Sequence, residues 1–290
     1  MGILSNYSQA QEITNEPVNI PLRALPSSKA EITYTHEKLK NGRGNKAKIT
    51  ASFEIRNTGE DGFVASWTTK SVQLGDLLID ETSPQAGSMF IGVPIYFLAG
   101  TDGGPIKLQD KEKLIAQLPN SAAFVKADTQ IVDQVISFFE SMDEETLAQV
   151  LFKVPSFMSI CQETNFIVDE ANNFLVESPS PFGEGVLVAN VSYKLTSLDI
   201  ENNIAKLEYR SQFDAESVKQ LAIQSLEKLA PDMPPSQKDI DELVIDRLDS
   251  ADCMVDMSTG WVTKMTYSIL VKSSDIVQKE TYEIFVNWEE

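Results

Sequence analysis

Cys253-Met-Val-Asp-Met-Ser-Thr-Gly-Trp-Val-Thr-Lys-Met-Thr-Tyr-Ser-Ile-Leu-Val271 is the stretch that decides the fold. Branched, aromatic and threonine side chains dominate it, the types that fit a pleated, half-buried surface. Asp256-Met-Ser-Thr-Gly260 breaks it in the middle with residues that favour a turn. A further strand runs on to Trp288, so Ala251–Trp288 reads as the closing meander of an antiparallel sheet. Asp256, Thr259 and Gly260 then belong to a turn, and Trp261 and Trp288 to the sheet face or edge.

The best-patterned early segments read the same way. Ala30–Leu39 alternates, Asn41-Gly-Arg-Gly44 supplies a turn, and Ala47–Arg56 places Ile49, Ala51, Phe53 and Ile55 on one face. Asn57–Gly62 turns the chain into a strand over Phe63–Leu74. After a loop over Glu81–Gly92, Val93–Gly100 and Pro105–Leu108 form a hairpin around Thr101-Asp-Gly-Gly104. Gly185–Leu195 and Ala205–Phe213 pair around Asp199-Ile-Glu-Asn-Asn203.

Between these strands the period lengthens. Asp110 is placed to cap a helix over Lys111–Leu118, and Asp128 another carrying Ile131, Val135, Phe138, Phe139 and Met142 at helical spacing. Ser141-Met-Asp-Glu144 has the form of a capping box, followed by Leu147, Val150, Leu151 and Val154 before Pro155. Asp214 is placed to cap a helix through Val218 and Leu221, and Ser236–Asp239 another through Leu248. The helices of 110–160 and 214–249 carry wide apolar faces, which must lie on something hydrophobic, most simply the sheet. The expected architecture is therefore α+β: an N-terminal arm over 1–28, then one domain over 29–290. The Ser-Pro-rich stretch near 178–184 marks a soft division.

Composition narrows the function classes. The 290 residues carry 43 acidic and 24 basic side chains, a net charge of -19, with no basic stripe. Nucleic acid and anionic lipid surfaces are thereby disfavoured as partners. No run approaches the ~18 apolar residues of a transmembrane span. The start Met1-Gly-Ile-Leu-Ser-Asn-Tyr-Ser8 lacks signal-peptide regions, and Asn6 fails the myristoylation pattern. Cys161 and Cys253 fit either a disulfide or two buried thiols. Neither sits in a zinc-binding spacing, and no cofactor or metal site is expected.

The catalytic motifs fail one by one. His36 is the only histidine, so a multi-histidine site cannot form, and it reads as an exposed or hydrogen-bonded side chain. Gly100-Thr-Asp-Gly-Gly104 and Gly183-Glu-Gly185 lack the frames of nucleotide loops. No GxSxG elbow occurs. Cys161 lies among Phe157, Met158 and Ile160, an apolar setting for a thiol. Asp143-Glu-Glu145 reads as the acidic first turn of a helix. A pair of converging carboxylates is the one hydrolytic arrangement that composition permits.

The Asp256-Met-Ser-Thr-Gly-Trp-Val262 hairpin and the order of sheet, Asp-Gly hairpin, amphipathic helices and strand pair resemble an uncharacterised family of bacterial envelope proteins, often lipoproteins. More loosely they resemble the lipoprotein-carrier half-barrels. The resemblance covers Ala30–Trp288, carries over no functional residue, and finds no lipidated cysteine near the start. It implies a large curved, half-barrel-like sheet with helices on its concave face. It also implies a periplasmic or envelope location and a non-enzymatic role in binding a lipid, another hydrophobic molecule or an envelope protein. Phe138, Phe139, Phe152, Phe157 and Met158 are the candidate lining of an apolar cavity. The alternatives are a structural or interaction module with a filled core, and a carboxylate-based hydrolase.

Overall fold

A computed structural model describes residues 16–83, 88–125, 129–162, 165–179, 186–229, 244–273 and 276–289. In chain order the first strands are β1 (Val18–Asn19), β2 (Lys29–Lys40), β3 (Arg43–Gly59), β4 (Gly62–Leu74), β5 (Leu77–Ile79), β6 (Ile95–Ala99) and β7 (Pro105–Leu108). Helices follow: α1 (Lys111–Gln117), α2 (Ala122–Val125), α3 (Thr129–Ser141), α4 (Glu144–Leu151) and α5 (Lys153–Ser159). The second half comprises β8 (Asn165–Phe166), β9 (Ala171–Pro179), β10 (Val186–Asp199), β11 (Ile204–Phe213), α6 (Ala215–Leu229), β12 (Ile245–Asp256), β13 (Val262–Ser273) and β14 (Ile276–Trp288).

All but β1 and β8 join one antiparallel, unclosed, curved sheet of 12 strands in the order β7-β6-β4-β3-β2-β14-β13-β12-β11-β10-β9, with β5 on β4. The two halves meet where β2 pairs with β14, placing Ile32 opposite Val286, Tyr34 opposite Ile284 and His36 opposite Tyr282. The early hairpin is set by Asn41 and Gly42, both at positive φ (50° and 76°), the pattern a two-residue turn requires. That turn is tighter than the four residues expected, so Arg43 and Gly44 already belong to β3.

The topology explains where the helices go. Strands β7 and β9 lie at opposite edges of the sheet, and residues 109–170 connect them. That connection must cross a sheet face, and its apolar helix faces bury the alternating residues of the strands beneath. Ile49, Ala51, Phe53 and Ile55 are buried as their alternation requires. Phe152 packs on Phe97 with ring centroids 4.2 Å apart. Phe157 of α5 stacks on Tyr267 at 4.0 Å and meets Tyr282 at 4.8 Å. Just past α5, Cys161 is disulfide-bonded to Cys253 of β12.

The closing meander holds the N-terminal segment in place. Asp256 accepts from the backbone N–H and hydroxyl of both Ser258 and Thr259, which shapes the turn. Gly260, at φ 73°, lies against Pro21 and Leu22 so closely that a Cβ would come within 2.5 Å of the Pro21 carbonyl oxygen. Trp261 is buried, donates its indole N–H to the Arg23 carbonyl at 3.0 Å, and packs against Trp288, Phe53 and Phe63. It is thus part of a core cluster, with Trp288 at its margin.

Several helix boundaries differ from expectation. Asp110 sits in the left-handed region and pairs with Lys113 at 2.9 Å instead of capping α1. Ser141 closes α3 by donating to the Phe138 carbonyl, and Asp143 caps α4 by accepting from the Thr146 N–H at 2.7 Å. Asp214 caps α6 through the Ser217 N–H at 2.8 Å, as its position suggested. Ile245–Leu248 belong to β12, not to a helix, because their pairing with β13 extends the ladder of the closing meander. Asp128 and Ser236–Asp239 lie outside the described residues. Ser178 and Pro179, read as the start of a division, pair with Leu187 and Val186 across a hairpin.

Candidate functional site

A cavity of about 260 Å³ lies between the helices and the sheet, where α4 meets α5. Tyr34 and His36 come from β2, Ile49 from β3, Trp67 and Thr69 from β4, and Tyr282 from β14. Their side chains share one face because each is in phase with the buried alternation of its strand. Val150 and Leu151 at the end of α4, and Lys153, Val154 and Pro155 at the start of α5, form the opposite wall. The break between the helices at Phe152 opens the space. Phe152 itself turns inward onto Phe97, and the chain restarts with Pro155 in the first turn of α5, where its missing N–H costs nothing.

The chemistry of the cavity is mixed. Tyr34 and Trp67 rings meet at 6.4 Å and make an aromatic floor. Burial pushes the Tyr34 phenol up to about 12, so it stays protonated and offers a donor. His36 stacks flat on Tyr282, with centroids 4.3 Å apart and planes 7° from parallel. Its Nε2 lies 3.6 Å from Glu280 Oε2, beyond hydrogen-bond length, and has no hydrogen-bond partner. Burial holds the His36 imidazole below its ordinary value, outweighing the nearby Glu280 carboxylate that would raise it. Burial would raise Glu280, but the Lys38 hydrogen bond at 2.7 Å and the charges of Lys38, His36 and Lys153 carry it below its ordinary range.

A second polar group lies further along the same face. The Asp249 carboxylate, buried, accepts from Arg247 Nε at 3.0 Å, from Arg247 Nη2 at 2.7 Å and from the Tyr267 hydroxyl at 2.9 Å. The Arg247 guanidinium also lies 4.5 Å from the Phe213 ring centroid. Asp249 is separated from Glu280 by Ile269 of the intervening strand. Paired carboxylate catalysis needs one acid held in its protonated form. The carboxyl groups of the described residues that are displaced from their ordinary range all move downward. Asp199, in the acidic hairpin tip, is taken up by the Asn202 backbone and side chain at 3.1 and 2.8 Å.

A wider concavity of about 360 Å³ lies on the face away from the helices. Lys206, Glu208, Asp252 and Lys264 line it, so charges of both signs face solvent there without a covering layer. The helix-covered cavity is the better site because α4 and α5 give it a second wall opposite the sheet.

The five aromatic and methionine positions marked from helical spacing separate in the structure. Phe152 and Met158 are almost wholly buried, and Phe139 packs edge-on against Phe90 at 5.5 Å. Phe138 is 54% exposed. Phe157 alone reaches the site, through its contact with Tyr282. None of the five is among the residues that line the 260 Å³ cavity. Among the described residues no group of three or more His, Cys, Asp or Glu side chains is placed to hold a metal ion, and no helix is long and apolar enough to cross a membrane.

Neither a protein-family model nor a curated protein matches the chain. Among solved structures it is similar to the crystal structure of a DUF1329 family protein from Desulfovibrio piger, over 91% of this chain and 86% of that one, at 6% identity and a TM-score of 0.22.

Proposed function

We propose that this chain is a non-enzymatic protein of the bacterial envelope that holds a hydrophobic molecule such as a lipid between its sheet and its helices. The supporting observation is the cavity of about 260 Å³ whose walls combine Tyr34, Ile49 and Trp67 with Leu151, Val154 and Pro155. Concave, mostly pre-formed spaces with aromatic and aliphatic walls and a few polar groups are what small-molecule sites look like. The Cys161–Cys253 bond is of the kind that persists in oxidising compartments, which supports a periplasmic or envelope location. In this reading the curved sheet works as an open half-barrel, with α4 and α5 as the cover on its concave side, as in lipoprotein carriers.

A second reading, a protein-interaction module, is favoured by β9. This strand lies at one edge of the sheet and exposes Phe174, Leu175 and Val176. Edges of that composition invite pairing with another chain.

Mass spectrometry of organic extracts of the purified protein, with displacement of a fluorescent fatty acid, tests the first reading. A co-purifying amphiphile that the probe displaces supports it. An empty extract together with no probe binding counts against it and leaves the interaction module.

A further inference from the structure

The charges around the cavity are uneven. Glu280, the acid beside His36, is already answered by Lys38 Nζ at 2.7 Å, with His36 Nε2 at 3.6 Å. Lys153 lines the cavity at its exposed rim and has no ion-pair partner among the described residues. It is close enough for its charge to act on both His36 and Glu280. It is also the first residue of α5, where unpaired backbone N–H groups make a cation unfavourable. Apart from its through-space attraction to Glu280, neither an ion pair nor the helix end favours a positive charge at this position. With the imidazole neutral, Lys38, Glu280 and Lys153 together leave one positive charge beside a cavity of mixed aromatic, aliphatic and polar lining, on a chain of net charge -19.

We infer that the guest is an acidic amphiphile, an acyl chain ending in a single carboxylate, with its chain against Trp67, Ile49 and Val154 and its head group paired with Lys153. The inference rests on the binding role proposed above and specifies its ligand. A carboxylate at Lys153 makes a charge-assisted hydrogen bond, about twice as strong as a neutral one. The protonated Tyr34 phenol supplies a second donor on the cavity wall. The charge of Glu280, held by Lys38, does not oppose the head group as a free carboxylate would.

The experiment is isothermal titration of the full chain with decanoate and with decanol, which share a chain and differ in head-group charge. The wild type is expected to bind decanoate about tenfold more tightly than decanol, the difference a solvent-exposed charged hydrogen bond provides. Lys153→Met should remove most of the preference for decanoate over decanol, and Lys153→Arg should keep it. Equal wild-type affinities, or a Lys153→Met variant that weakens both ligands alike, would overturn the head-group assignment and leave the cavity reading standing. Binding of neither compound would remove both.

Discussion

Replacing Asp249 with alanine is the substitution whose cost follows most directly from the geometry. Asp249 is 3% exposed and answers two groups at once, the Arg247 guanidinium and the Tyr267 hydroxyl. Its loss leaves a guanidinium that is 31% exposed beside the Phe213 ring without its carboxylate, and a buried phenol without its acceptor. Breaking a buried ion pair by removing one partner costs about 3–5 kcal/mol. Water reaching Arg247 lowers that, and the orphaned Tyr267 hydroxyl adds roughly 1 kcal/mol. Together they give about 3 kcal/mol, or a melting temperature lowered by roughly 6–12 °C for a chain of this size. Urea denaturation followed by circular dichroism measures it directly. Arg247→Met combined with Asp249→Leu should recover most of the loss, since no charge is then buried alone. A cost below about 1 kcal/mol for Asp249→Ala, or no recovery in the double variant, would refute the reasoning.

Phe152→Ala should cost about 3–5 kcal/mol in the same assay, because it vacates a fully buried site against Phe97, whereas Phe138→Ala should stay within about 0.5 kcal/mol. Replacing Cys161 and Cys253 together with alanine should cost about 2–4 kcal/mol, and dithiothreitol should lower the wild-type melting temperature while leaving the variant's unchanged. His36 gives a pH dependence of known sign. Its folded-state pKa lies below the ordinary 6.5, so the unfolded chain takes up the proton first. The stability tied to the neutral ring is complete above pH 6.5 and is lost as pH falls through 6.5 toward the folded value. Denaturation at pH 7.5 and 5.5 should therefore show a larger loss for wild type than for His36→Gln, and an equal loss would remove burial as the governing effect.

The sheet was readable from local pattern because period-two alternation and turn chemistry act within a few residues. Ile49, Ala51, Phe53 and Ile55 are buried together as their spacing required, and the Asp256–Gly260 turn joins the strands it separates. Boundaries were missed where a longer-range contact outweighed a local one. Leu248 falls at helical spacing with Ile240, Leu243 and Val244, but Ile245–Leu248 gain a ladder beside β13. The aromatic positions lie off the cavity for a different reason: helical spacing says which residues face inward, not which of them find a partner. Phe152 met Phe97 and filled its own space, while Phe138 faced outward. The cavity-lining residues come from four strands and two helices, and no window of sequence contains them. One clue was present: His36 shares the parity of Ile32 and Tyr34, so its strand alternation already pointed it toward the core.

In the proposed binding mode an acyl chain occupies the space between α4, α5 and the sheet. Of the three tryptophans only Trp67 lines that space, while Trp261 and Trp288 belong to the cluster with Phe53. Bromine on an acyl chain quenches indole emission on contact, so titration with a brominated fatty acid reads occupancy at Trp67. Saturable quenching of part of the emission is expected in wild type, and its disappearance in Trp67→Phe. Absence of quenching in wild type, or quenching that persists undiminished in Trp67→Phe, would contradict that binding mode.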